Sequence, residues 1–180
     1  MQVADTAVRE LTVVTLKQVT EERGTVREFY RQSSWSEAGL PDLGPFLQLN
    51  VTETGRGGVR GMHAEAMTKV VTVVAGAAFG AYVDLRKDSP TAGVVVTLDL
   101  VPGVQVVVPS GVGNGFQALE NGTQYLYGFS AEWVPGMAGL AVSPLDPALG
   151  ISWPIAVDPD DRRMLSVKDR DAPLLAAVLG

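Results

Sequence analysis

The chain of 180 residues contains no cysteine and a single histidine. Without cysteine there are no disulfides, no thiolate nucleophile and no sulfur-ligated metal. One histidine cannot build a histidine-rich metal cage. It can still be a base, because no other side chain has an unperturbed pKa near neutrality. Positive charge is also scarce: 14 Lys and Arg face 20 Asp and Glu, for a net charge of −6. That balance argues against nucleic acid or an anionic membrane as the main partner. An anionic ligand would need local cations to hold it against this field. Long apolar runs are missing too. The longest, Val70 to Ala78, is interrupted by Thr72 and Gly76 and is too short to span a bilayer. The first ten residues are polar and mixed in charge and do not read as a signal peptide. A cytoplasmic protein is the expectation.

What is present is the pattern of a β protein. At 46% hydrophobic and 19% charged residues, the chain has the composition of a globular fold and the length for one domain over residues 1–180. Strand signals recur at Leu11–Leu16, Leu47–Thr52, Val70–Val74, Ala78–Leu85, Val94–Leu100, Val104–Val108, Phe116–Leu119 and Thr123–Phe129. Gly, Pro, Asn and Asp turns separate them, which predicts an all-β sandwich or barrel. Helical signals are few. Thr25–Ser33 fits a helix or a strand, and Ala172–Leu179 fits a short C-terminal helix with Asp171 as N-cap. Pro135 to Pro159 holds five prolines and reads as a long ordered connection.

Several segments resemble one family in order along the chain. Arg60-Gly61-Met62-His63 resembles the Arg-Gly-Leu-His motif of the dTDP-4-dehydrorhamnose 3,5-epimerases. Asp84-Leu85-Arg86-Lys87-Asp88-Ser89-Pro90-Thr91 resembles that family's Asp-Ile-Arg-x-x-Ser-Pro-Thr segment. Pro109-Ser110-Gly111 with Gly115-Phe116, and Tyr125-Leu126-Tyr127 with Trp133-Val134-Pro135, resemble two more. Glu22-Arg23-Gly24 resembles an early turn. Leu145-Asp146-Pro147, Ile151-Ser152-Trp153-Pro154 and Leu165-Ser166-Val167-Lys168-Asp169 resemble the closing segments.

The resemblance implies a cupin-like jelly-roll β-sandwich, a homodimer with strand exchange, and epimerisation of a dTDP-4-keto-6-deoxyhexose without a cofactor or metal. It implies that His63 removes a proton next to the ketone and that Asp169 orients and steadies the imidazole. Tyr127 would return a proton from the other face, and Lys69 would stabilise the enolate oxygen. Arg23 and Arg60 are implied at the diphosphate, where a guanidinium fork matches phosphate oxygens. Glu28, Gln48 and Asn50 match positions near the nucleotide, and Lys168 lies in the closing motif beside Asp169. Trp133 stands where a tyrosine often stacks on the base. Taken alone, each of these side chains reads as a solvated charge or a packing aromatic.

The chain departs from the family pattern in three places. Asn114 stands where a histidine is common, and an amide cannot shuttle a proton at neutral pH. Gly80 replaces an acid that often follows the lysine. The loop between His63 and Lys69 is short. The family acts at C3, C5 or both; the first two losses suggest inversion of one centre, C3 or C5, and the short loop bears on where Lys69 sits. Two alternatives share the resemblance: a 3,4-ketoisomerase acting on the same substrate class, and a nucleotide-sugar-binding cupin without catalysis. The charge run Asp158–Arg163 reads as a solvated surface.

Overall fold

A computed structural model describes residues 1–180. Thirteen strands carry the architecture: β1 (Gln2–Asp5), β2 (Thr12–Thr15), β3 (Gln18–Glu21), β4 (Gly24–Arg27), β5 (Gln48–Thr54), β6 (Val59–Glu65), β7 (Lys69–Ala75), β8 (Ala78–Asp84), β9 (Val95–Leu100), β10 (Val104–Val108), β11 (Val112–Ala118), β12 (Thr123–Phe129) and β13 (Gly139–Ala141). Three short helices, α1 (Gln32–Glu37), α2 (Val167–Arg170) and α3 (Leu175–Leu179), complete it with a 3₁₀ turn at Pro147–Leu149. A six-stranded sheet runs β1-β2-β10-β7-β12-β5 and a five-stranded sheet runs β13-β6-β11-β8-β9. Successive strands β6, β7 and β8 alternate between the sheets, as do β10, β11 and β12, so the chain wraps a sandwich in jelly-roll fashion. The expected all-β, cupin-like class is what forms. A separate hairpin, β3–β4, stands outside both sheets.

The period-two alternation of a strand sorts each side chain to an inner or outer face. On β7, Val71 and Val73 face inward and Val70 outward; on β8, Tyr82 faces in and Ala81 and Val83 face out. The inner cluster joins Val71, Val73, Tyr82, Leu100, Val106, Phe116 and Tyr125, with Phe116 and Tyr125 stacked at 4.1 Å. Each such fully buried large apolar side chain contributes about 1.5–3 kcal/mol. The outer faces are covered as well. Trp35 of α1, with Leu40 and Leu43, packs on Val70 and Val107. Leu175 and Val178 of α3 pack with Met62, Ala64, Ala81 and Val83.

Several local expectations change. The C-terminal helix begins at Leu175, not Ala172, and Asp171 closes α2 instead of capping α3. The first N–H of α3 is satisfied from afar, by the Asp146 carboxylate 2.6 Å from Leu175 N. Thr25–Ser33 divides into β4, a loop and the first two residues of α1. Strand β11 starts at Val112, ahead of the expected Phe116, because Gly113-Asn114-Gly115 is strand and not turn. No helix is long and apolar enough to cross a membrane.

Candidate active site

At one end of the sandwich the inner faces turn polar. Lys69 opens β7 on the same face as Val71 and Val73, Tyr127 follows Tyr125 on β12, and Asn114 precedes Phe116 on β11. From β6 come Arg60, His63 and Glu65. Residues 60 and 63 of a regular strand would face opposite ways. The β6–β11 pairing shifts register between them, from Asn114↔His63 to Phe116↔Arg60, and this irregularity brings both to the cleft. Gly61 makes it feasible. Its φ is 114°, and a Cβ there would lie 2.6 Å from the Asn114 carbonyl oxygen and from Gly115 Cα.

The cleft so formed has a volume of about 450 Å³. His63 projects into it from the five-stranded sheet and Tyr127 from the six-stranded sheet, so the imidazole and phenol line opposite walls. His63 Nε2 lies 2.7 Å from Asp169 Oδ1. Asp169 sits in α2, whose N-cap Ser166 accepts a hydrogen bond from the Asp169 backbone N–H at 3.1 Å. Burial pushes the Asp169 carboxyl up, but the hydrogen bond and charge of His63 outweigh it and hold the group below the ordinary carboxylate range. Asp169 therefore stays ionised near neutrality, next to an imidazole whose Nδ1 has no protein partner. Burial keeps the Tyr127 phenol well above its usual pKa, in the protonated form.

Behind the cleft is a cavity of about 40 Å³ lined by His63, Glu65, Lys69, Asn114 and Tyr127, among others. Lys69 is 2% exposed, so it is not the solvated strand-edge charge that its position in the sequence suggests. Its ammonium donates to Glu65 Oε2 at 2.5 Å and to the His63 carbonyl oxygen at 3.1 Å. Burial lowers the Lys69 pKa, and the Glu65 carboxylate opposes that. Asn114 accepts a hydrogen bond from Tyr125 OH at 3.2 Å, which leaves its amide N–H₂ as the free end. Tyr82 OH stands 3.5 Å behind Tyr125 OH. Tyr82 OH also lies 3.0 Å from where a Cβ on Gly80 would sit, so the two residues share one volume.

The mouth carries the cations. Arg60 is exposed and donates to Thr54 Oγ1 at 2.9 Å. Lys168, Arg162 and Arg163 line the same rim. Arg162 and Arg163 are exposed, as expected of the solvated run Asp158–Arg163, and they also line this rim. The segment is tied across the start of β6 by a 2.7 Å hydrogen bond from Val59 N to the Met164 carbonyl oxygen. Arg163 is already forked onto Asp161, whereas Arg162 makes no ion pair. Trp133, 49% exposed, stands at the mouth near Asn50.

Three expected site residues lie elsewhere. Gln48 does not line the cleft; its amide oxygen accepts the Trp133 backbone N–H at 2.7 Å and so supports the indole from behind. Arg23 is on the β3–β4 turn, paired with Glu21. Glu28 lies by Lys17 and Arg31 and pairs with Arg31. Both are outside the cleft, because the β3–β4 hairpin that carries Arg23, and that Glu28 follows, does not join the sandwich. Thr52, Thr54, Glu65, Arg162, Arg163 and Ser166 line the cleft without having been singled out. Period-two spacing from His63 would have found Glu65 had β6 been recognised as a strand.

The sequence profile described as dTDP-4-dehydrorhamnose 3,5-epimerase matches residues 5–177. The chain belongs to this epimerase family. One relative, a dTDP-4-dehydro-6-deoxyglucose 3-epimerase of Streptomyces bikiniensis, is 34% identical over 163 residues, covering 87% of this chain and 80% of its own. Among solved structures, a 4-keto-6-deoxy sugar epimerase from the novobiocin biosynthetic gene cluster of Streptomyces spheroides superposes with a TM-score of 0.88. It is 32% identical, and the match covers 98% of this chain and 88% of that one. A dTDP-6-deoxy-D-glucose-3,5-epimerase from Legionella pneumophila, solved with dTDP-4-keto-L-rhamnose, has a TM-score of 0.85 at 30% identity, covering 99% and 96%. As a member of this family the chain is an isomerase of the racemase and epimerase class.

Proposed function

We propose that this enzyme epimerises a dTDP-4-keto-6-deoxyhexose by proton transfer alone. The observation that carries the reading is the opposed pair: His63 with Asp169 on one wall and Tyr127 on the other, with the Lys69 ammonium at the small cavity that both also line. A ketone acidifies the carbon beside it. His63 removes that proton, and the imidazolium formed is steadied by the Asp169 carboxylate. The electron pair moves onto the ketone oxygen, where a fixed ammonium lowers the barrier. Tyr127 then gives its proton to the same carbon from the opposite face, which inverts the centre. Arg60, Arg162 and Lys168 suit a diphosphate at the mouth, and Trp133 suits a thymine stacked there. Asn114 offers a hydrogen bond to the sugar but no proton relay, which favours inversion of one centre over two. The named relatives are all epimerases, so neither a ketoisomerase nor a non-catalytic binding module is favoured.

The active species is a homodimer in this reading. Val19 and Val26 on the outlying hairpin are 61% and 70% exposed, and Leu47 just before β5 and Leu49 and Val51 on it are 54%, 61% and 55% exposed. Such surfaces ask for cover. A second copy whose hairpin brought Arg23 and Glu28 to the neighbouring cleft would give both residues the nucleotide contacts expected of them. A cytoplasmic setting suits a nucleotide-sugar substrate and a cysteine-free chain.

The test is incubation with dTDP-4-keto-6-deoxyglucose in D₂O, followed by NMR. Deuterium is expected at the inverted carbon, C3 or C5; no deuterium at either carbon would overturn the reading. Sedimentation equilibrium reads the mass of the assembly.

A further inference from the structure

Glu65 has no part in the proton transfers above, yet it is firmly built into the site. It follows His63 by two residues on the inner face of β6, so both side chains enter the same space. Its carboxylate holds the Lys69 ammonium at 2.5 Å, and the His63 carbonyl oxygen takes a second N–H at 3.1 Å. An ammonium has three donors. One N–H is left, at the wall of the small cavity that His63 and Tyr127 also line.

The surroundings offer Lys69 no other counter-charge. Arg60 on β6 is a cation, and Tyr127 on β12 is a neutral phenol. Asn114 on β11 carries no charge, and Val108, the β10 neighbour, is apolar. Asp169 of α2 is engaged by His63. On β8 the inward positions level with Asn114 and Phe116 are Tyr82, a neutral phenol, and Gly80, which has no side chain. An ammonium buried with no carboxylate beside it tends to give up its proton.

We propose that Glu65 is the positioning residue for Lys69: it pins the charged ammonium so that its one unspent N–H meets the oxygen of the forming enolate. The inference rests on the enolate reading of Lys69 given above. Glu65 itself is no proton donor near neutrality, since Lys69 outweighs its burial and keeps the carboxyl below the ordinary range.

The test uses the whole protein with ¹³C-labelled lysine. Only four lysines are present, so the Lys69 ε-carbon can be assigned and titrated by NMR. In Glu65→Gln the Lys69 midpoint is expected to fall by at least about one pH unit. The alkaline limb of kcat should move down with it, while kcat near neutrality drops at least about tenfold and KM stays within about threefold. A folded variant with an unmoved Lys69 midpoint overturns the proposal. Should the amide variant unfold, Glu65→Asp carries the test. It keeps the charge on a shorter arm, so kcat should fall while the alkaline limb stays in place, and an unchanged kcat overturns the positioning role. The titration needs no substrate. A lowered midpoint in Glu65→Gln, beside a wild type that exchanges no deuterium into substrate, therefore supports the Glu65–Lys69 link and rejects the enolate reading instead.

Discussion

His63 meets Asp169 through one ring nitrogen and the cleft with the other, a division of labour that sets two expectations. In Asp169→Asn the imidazole loses its charged acceptor, and the amide can hold the ring in the wrong tautomer. A fall in kcat of about 10²–10⁴ is expected, with KM changed far less, in a steady-state assay. Tyr127→Phe separates the two half-reactions. His63 can still remove a proton and return one to the same face. Deuterium wash-in should continue at a reduced rate while inversion falls by about 10²-fold or more. Equal loss of exchange and inversion would mean that Tyr127 is needed before the enolate forms.

Elements, more than single residues, decide whether those side chains meet. Strand β6 carries His63 and Glu65, and it works because its pairing with β11 is irregular at Gly61. Gly61→Ala places a methyl group against the β11 backbone in a conformation that suits only glycine. It is expected to cost about 2–4 kcal/mol in urea unfolding and to abolish activity even where the protein remains folded. The same irregularity explains which elements could be read from the sequence. The Val-rich strands β7, β9 and β10 are plain in the composition, and the ordered motifs pointed to the jelly roll. Strand β6 reads Val59-Arg60-Gly61-Met62-His63-Ala64-Glu65, and its bulge hides the alternation that would mark it as a strand. Strand β11 was obscured by glycines that serve close approach: a Cβ on Gly115 would lie 2.5 Å from Met62 Sδ. The burial of Lys69 was invisible because it depends on Glu65, which stands out only when both strands face one cavity. Arg162 and Arg163 are surface residues, but nothing local shows that residues 158–164 lie across β6 at the cleft mouth.

Across the molecule, charge is distributed against the net sign. A chain with a charge of −6 gathers Arg60, Arg162, Arg163 and Lys168 at one mouth. Its stability also has an acid limit. Asp84, fully buried, accepts hydrogen bonds from Arg86, Ser89 and Thr91 and holds the segment after β8 in place. Burial pushes its carboxyl up, but the bonds from Arg86, Ser89 and Thr91 win and keep its pKa well below the ordinary value. A carboxyl depressed in the folded state stabilises the protein above its unfolded pKa, and that contribution is lost as pH falls toward the folded value. Asp169 adds to the same trend. The melting temperature should therefore hold near neutrality and fall steadily below about pH 4. In Asp84→Asn part of that acid dependence should vanish, with a loss of about 1–3 kcal/mol at neutral pH, because the bonds to the buried carboxylate weaken while Arg86 keeps its pair with Glu10. Thermal unfolding across pH reads both.

The three indoles, finally, are not optically equivalent. Trp35 and Trp153 tie their ring N–H groups to the carbonyl oxygens of Pro41 and Pro144, whereas Trp133 stands half in water at the cleft mouth. Light absorbed by Trp133 alone is emitted from the place where a ligand would enter. The enzyme thus carries a native fluorophore at its own door, so occupancy can be followed by quenching, with no label and no turnover.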